Sequence, residues 1–144
     1  QSRLGIEIRA SDFSHQLIRE NRKRADLGIS YVKRSIYDLE PIEDRAEAVI
    51  CCEVLEHLEY PYKGVDALRQ LNAVYYLFSV PREPIWRLLN VVRGKYLRAL
   101  GNTPGHLNHW SKSSFTQFMG KNGFDVEQYL NPFPWLMAAG RFKS

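Results

Sequence analysis

The chain has 144 residues, 44% apolar and 25% charged, with a formal net charge of +4. That size and balance describe one ordinary globular domain and exclude a disordered or low-complexity chain. No apolar run approaches the roughly 18 residues that a membrane span needs, and there is no internal repeat or interdomain linker.

In residues 3–8, Leu4, Ile6 and Ile8 are apolar, and the alternation reads as a strand with Glu7 near its end. A helix follows. Ser11 or Asp12 can cap it, and Phe13, Leu17 and Ile18 form its buried stripe. Arg19, Arg22, Lys23 and Arg24 load its last turn, where cations suit the helix dipole. Gly28 can end it. Residues 29–34 make the next strand, followed by Ser35-Ile36-Tyr37-Asp38-Leu39, in which Asp38 suits a turn.

Residues 48–52, Ala-Val-Ile-Cys-Cys, are an unbroken apolar run, the pattern of a strand buried on both faces in a parallel sheet. At Glu53 the texture changes. Glu53, Glu56 and His57 put three ionisable groups into five residues, while Val54, Leu55 and Leu58 keep an apolar face at helical spacing. Open α/β sheets place ligands beyond the carboxyl ends of their strands, so this is the first candidate site. Cys51 and Cys52 are strand neighbours pointing to opposite faces, which reads as two small buried hydrophobes in a reducing cytoplasm rather than a disulfide.

Pro61 and Gly64 punctuate a linker, and Val65, Leu68 and Leu71 then mark a helix. Residues 74–80 are a strongly apolar strand stopped by Pro81. Ile85, Leu88, Leu89, Val92 and Tyr96 fall at helical spacing, with Pro84 suited to a first turn. The same stretch carries Arg82, Arg87, Arg93, Lys95 and Arg98 against Glu83 alone, which is as much net charge as the whole chain has. Such a segment faces an anionic substrate, a nucleic acid or a membrane surface, or is simply a solvated helix face. Residues 101–105 are a loop by composition. Ser111 can cap a helix carrying Phe115, Phe118 and Met119, closed by Gly123, and residues 124–130 and 136–142 make the last two strands.

Three of these segments carry a family resemblance. Cys52-Glu53-Val54-Leu55-Glu56-His57-Leu58 resembles the end of the fourth strand in class I S-adenosylmethionine-dependent methyltransferases of the broad small-molecule group. Ser79-Val80-Pro81 matches the Ser-Val-Pro that often follows their next strand, and Gly105-His106-Leu107-Asn108-His109-Trp110-Ser111 resembles their Gly-His-x-x-His/Arg-Trp/Phe-Ser segment. The resemblance runs from Gly5 to Phe142, with the motifs in family order. It implies an α/β fold: a Rossmann-like, doubly wound, mostly parallel sheet with an antiparallel C-terminal strand. Residues 1–144 would form one domain, with residues 82–111 a lid inserted in it. S-adenosyl-L-methionine is the implied cofactor and a small molecule the implied methyl acceptor, with no nucleic-acid partner.

The resemblance also assigns residues. Glu7 takes the place of the acid that binds the ribose hydroxyls, where an ionised carboxylate offers two acceptor oxygens to two donors. Ser35 stands where an acid often meets the adenine amino group, Ile36 supplies the next backbone amide, and Cys52 and Glu53 complete the cofactor side. Methyl transfer from a sulfonium chiefly needs alignment, and a base is needed only where the acceptor must lose a proton. His57, His106 and His109 are the candidate catalytic residues, with Glu53 a further base. Were residues 53–57 helical, Glu53 and His57 would lie on one face. Quinone-pathway O-methyltransferases with a similar Glu-Val-x-Glu-His element have been linked to a divalent ion. Hard cations want more ligands than this, and His106 and His109 have no partnering cysteine pair, so no metal is expected.

In the family a first strand and a glycine-rich loop precede the position of Gly5. The expectation is therefore an N-terminally incomplete methyltransferase, weak or inactive alone. The family strand order would leave a gap of roughly twice the ~4.8 Å strand spacing between residues 3–8 and 47–52. The alternative is a non-catalytic remnant or interaction module of the same fold. A nucleic-acid-modifying protein ranks last.

Overall fold

The computed structural model describes residues 5–23 and 28–143. Arg3, Leu4 and Arg24, used in the sequence reading, lie outside them. In chain order the elements are β1 (Ile8–Asp12), α1 (His15–Arg22), β2 (Ile29–Lys33), β3 (Ala48–Cys52), α2 (Pro61–Gln70), β4 (Tyr75–Pro81), α3 (Ile85–Val92), α4 (Lys112–Lys121), β5 (Phe124–Leu130) and β6 (Trp135–Phe142). Short 3₁₀ turns follow β2 (Ile36–Asp38), β3 (Leu55–His57) and α3 (Leu97–Ala99).

Among the described residues the strands form two sheets. β1 and β2 pair in parallel, Ile8 opposite Ile29 through Asp12 opposite Lys33. The second sheet has the order β3-β4-β6-β5. β3 and β4 are parallel, and β6 is antiparallel to both β4 and β5. Within that sheet the last strand alone runs against the others, as the expected Rossmann-like architecture requires. β6 passes β5 at a bulge between Val126 and Gln128, and Gly140 is required there because a Cβ would run into the Asp125 carbonyl.

The core lies on one face of the four-stranded sheet. Tyr76, Phe78 and Val80 of β4 alternate inward beside Leu136 and Ala138 of β6 and Phe124 of β5. Val65, Leu68 and Leu71 from α2 and Phe115 and Met119 from α4 cover them. Ser111 caps α4 and Ser114 completes a reciprocal capping box, as the sequence indicated.

Four expectations need correction. β3 is not buried on both faces: Cys51 points into the core, but Ile50 on the other face is 70% exposed and Cys52 is exposed too. Alternation along a strand sends its residues to opposite faces, and the described elements leave that second face open. Pro61 and Gly64 belong to α2 rather than a linker. Pro61 occupies the first turn, where its missing N–H costs nothing, and a Cβ at Gly64 would lie 2.6 Å from Leu58 Cδ1. On α1 only Ile18 is buried; Leu17 stands exposed, and so does Phe13, which precedes the helix. The first strand runs from Ile8 to Asp12 and does not end at Ile8.

Candidate active site

The corrected β1 boundary changes which acid stands at the ligand edge. Glu7 precedes β1 and is exposed at its amino end. The acid at the carboxyl end is Asp12, opposite Lys33 of β2, and Arg34 N donates to the Asp12 carbonyl at 3.0 Å. Asp12 Oδ1 accepts from Ser14 N at 2.7 Å, and Ser14, not Ser11 or Asp12, caps α1. Ser35 follows β2 on this same edge. Its hydroxyl accepts from Tyr37 N at 3.2 Å, which starts the turn at Ile36. That turn connects the two sheets. The Ile36 side chain packs where α2 has Gly64, and Tyr60 N donates to Tyr37 Oη at 3.2 Å.

β3 ends in a sharp turn. Glu53 adopts φ 56°, a left-handed conformation rare for a non-glycine residue. Its carboxylate holds the turn: Oε1 accepts from Ser79 Oγ at 2.9 Å and Oε2 from Trp135 Nε1 at 3.0 Å. Backbone pairing adds to this, with Glu53 N donating to the Ser79 carbonyl. Residues 53–57 are therefore not one α-helix, only Leu55–His57 forming a 3₁₀ turn, and Glu53 and His57 do not share a helix face. Glu53 braces the ends of β3, β4 and β6, with both carboxylate oxygens already engaged.

Beyond the turn an imidazole cluster assembles. His57 Nδ1 lies 2.9 Å from the Gly105 carbonyl. A carbonyl only accepts, so this bond puts the proton on Nδ1 and leaves Nε2 of the neutral ring as an acceptor. Nε2 in turn faces Glu56 Oε1 at 3.9 Å. The His106 ring meets His57 edge-on, 4.8 Å between centroids, and stacks on Trp86. Trp86 lies 6.0 Å from Trp135, which closes the circuit back to Glu53. His109 Nδ1 stands 3.5 Å from Glu83 Oε1. Trp110 is not part of this site: it is buried against Phe115 and Phe118.

The loop bearing these histidines is fixed by backbone contacts. Leu107 N and Asn108 N both donate to the Glu56 carbonyl, and Asn108 Nδ2 donates to the Leu55 and Leu58 carbonyls. Glu56, which the sequence places in the ionisable cluster after β3 without assigning it a role, is the buried member of this group. Its side chain is 1% exposed, and neither carboxylate oxygen has a hydrogen-bond partner among the described residues. Burial, with a smaller push from the Glu53 charge, raises its pKa to about 7. The His106 pKa is lowered, first by burial and then by the neighbouring His57 and His109. Ligand-type atoms of Glu56, His57 and His106 all lie within 4.8 Å of one another, a set that would suit a proton relay or a cation. Buried Cys51 has its thiol pushed up to about 12, chiefly by burial, and is inert packing.

Comparison with known proteins addresses what this edge belongs to. Residues 1–73 match the family model described as Methyltransferase domain. The chain belongs to that family. Among solved structures, magnesium protoporphyrin IX methyltransferase (ChlM) from Synechocystis PCC 6803 with bound SAH is similar at 19% identity and a TM-score of 0.70. The alignment covers 97% of this chain and 66% of that one. The small RNA methyltransferase HEN1 is similar at 17% identity and a TM-score of 0.69, covering 95% of this chain and 20% of that one. The PH0226 protein from Pyrococcus horikoshii OT3 is similar at 15% identity, with a TM-score of 0.67 over 97% of this chain and 73% of that one. The chain thus spans under two thirds of the first two relatives. At these identities the likeness concerns the fold of the methyltransferase domain. No curated protein matches. Among the described residues no helix of this methyltransferase-family chain is long and apolar enough to cross a membrane.

Proposed function

We propose that this chain carries the cofactor edge and lid of an S-adenosylmethionine-dependent methyltransferase whose acceptor is a small molecule, working in the cytoplasm. The observation that supports the reading is position along the strands. Asp12, Ser35–Ile36 and Cys52–Glu53 each stand at the carboxyl end of a parallel-paired strand, the setting in which open α/β sheets bind ligands, and an imidazole cluster stands beyond the third of them. The residues suit the cofactor. Asp12, with only Oδ1 engaged among the described residues, offers its carboxylate to the ribose hydroxyls in place of Glu7. Ser35 and the Ile36 amide serve the adenine. Because Ser79 and Trp135 occupy the Glu53 carboxylate, Glu53 acts through the shape of the turn and Cys52 through the backbone of an edge strand.

S-adenosylmethionine, when bound, supplies a methyl group on a sulfonium that is already activated for transfer. The protein's part is alignment and, for a hydroxyl acceptor, removal of a proton. His57 Nε2 is the acceptor-ready nitrogen, since Nδ1 is held by Gly105, and buried Glu56 can share the proton passed to it. His106, kept neutral by its surroundings, lies next in the cluster. The residues between Arg82 and Ser111 act as the lid over the acceptor, with Trp86 and the histidines on the inner side. No step needs a metal.

β1 and β3 are edge strands of separate sheets among the described residues. One further strand laid between them would join the sheets, and we assign full cofactor binding to the protein that includes it. Equilibrium dialysis of radiolabelled S-adenosylmethionine tests the reading on that protein. D12N should weaken binding at least tenfold and E7Q leave it unchanged; the reverse order would return the ribose role to Glu7.

A further inference from the structure

α3 carries apolar side chains on both of its sides: Ile85, Trp86 and Leu89 are half-buried, and Leu88, Val91 and Val92 are exposed. A surface helix ordinarily turns its apolar stripe inward and its charges to water. Here the inward side is fixed by hydrogen bonds as well as by apolar packing. Trp86 Nε1 donates to Thr103 Oγ1 at 3.0 Å, and Asn90, buried, donates through Nδ2 to the Gly101 carbonyl and to Thr103 Oγ1. The outward side is aliphatic. Leu88 is 63% and Val92 75% exposed, one helical turn apart, with Val91 beside them. The turn after α3 folds back onto the helix, where Gly101 approaches the Arg87 carbonyl and Val91 and where Arg87 Nε donates to the Leu100 carbonyl. It adds Leu97 and Leu100 to the exposed aliphatic side chains. Exposed Arg93 and Lys95 lie between the two groups. The one acid of the segment, Glu83, faces inward to His109.

We propose that α3 and the turn after it form a peripheral docking surface for an anionic lipid bilayer. The chemistry selects this partner. Aliphatic side chains enter the acyl boundary while flanking cations meet acidic headgroups. A nucleic acid would use Arg93 and Lys95 but has no use for exposed leucine and valine. A second copy would bring Arg93 and Lys95 against their own counterparts, like charge against like. The inner side of the same helix carries Trp86 into the imidazole cluster, so the docking surface and the candidate site share one element. The proposal concerns binding alone and does not depend on methyl transfer.

Co-sedimentation with phosphatidylcholine vesicles, with and without phosphatidylglycerol, tests it. The chain should sediment with the anionic vesicles, much less with the neutral ones, and be released by salt. R93Q/K95Q should weaken binding about fivefold per charge removed, and L88S/V92S by more than tenfold, with circular dichroism unchanged. Should L88S/V92S fail to fold, R93Q/K95Q alone decides. The proposal is overturned if the chain stays in the supernatant at low salt, or if the folded variants sediment like the parent. It is also overturned if L88S/V92S only abolishes self-association, which would give the face to a second copy. Binding of an RNA oligonucleotide in place of vesicles, lost in R93Q/K95Q but intact in L88S/V92S, would reassign the cations to nucleic acid.

Discussion

Trp135 Nε1 donates to Glu53 Oε2 at 3.0 Å, joining the first residue of β6 to the turn that ends β3. With Ser79 Oγ on the other oxygen, one carboxylate ties together the carboxyl ends of β3 and β4 and the start of β6. It holds Glu53 at a backbone angle that the residue would not otherwise favour. E53A removes the shared acceptor and leaves an indole N–H and a hydroxyl without it. The expected loss is ~1–3 kcal/mol in urea denaturation. An unchanged midpoint would mean that water replaces the carboxylate without cost.

Glu56 makes stability depend on pH. Its folded pKa is about 7 against an ordinary value of 4.5, so the folded state holds its proton more tightly than the unfolded state does. The two states bind protons equally below the lower value. As pH rises from 4.5 toward 7 the unfolded state releases its proton first, and stability falls through that window before levelling off. The fall attributable to this group is ~3 kcal/mol. E56Q, which keeps the shape and removes the charge, should flatten the melting temperature against pH over this window and be the more stable protein at pH above 7. An E56Q curve parallel to that of the parent would remove Glu56 as the source.

Asn108 is the clasp of the histidine loop, because its amide donates to two carbonyls of the turn after β3. N108A should cost about 1–2 kcal/mol and speed amide hydrogen exchange at Leu107, whose N–H donates to the Glu56 carbonyl. Unchanged exchange there would show that the backbone bonds hold the loop without the side chain.

The parts of this molecule that were legible in its sequence are those encoded locally. The apolar run Ala48–Cys52 broken by Glu53 marks a strand end in any context, and Ser111 before Phe115 marks a helix start. The end of β1 was misplaced because the alternation Ile6, Ile8 continues through Ala10, whose small side chain weakens the signal. Asp12 with Ser14 two residues on, just ahead of the α1 stripe, was the pattern that locates the strand end. The turn at Glu53 was hidden because its partners, Ser79 and Trp135, are distant in sequence. The meeting of His57 with His106 depends on Asn108 and the Glu56 carbonyl, contacts that no periodicity records. The outward aliphatic face of α3 was invisible for a related reason. Spacing shows that an apolar stripe exists, and only Asn90 and Trp86 reaching Thr103 decide which side faces in.

The central claim is that the edge formed by Asp12, Ser35 and Cys52 is a cofactor site completed by a strand between β1 and β3. Calorimetric titration of S-adenosylhomocysteine into this chain, and into a version extended at its amino end by such a strand and a glycine-rich loop, tests it most directly. The account predicts weak or undetectable binding by the chain alone, binding at least tenfold tighter by the extended protein, and loss of that gain in extended D12N. Equal affinity with and without the extension, or no heat from either, would contradict it.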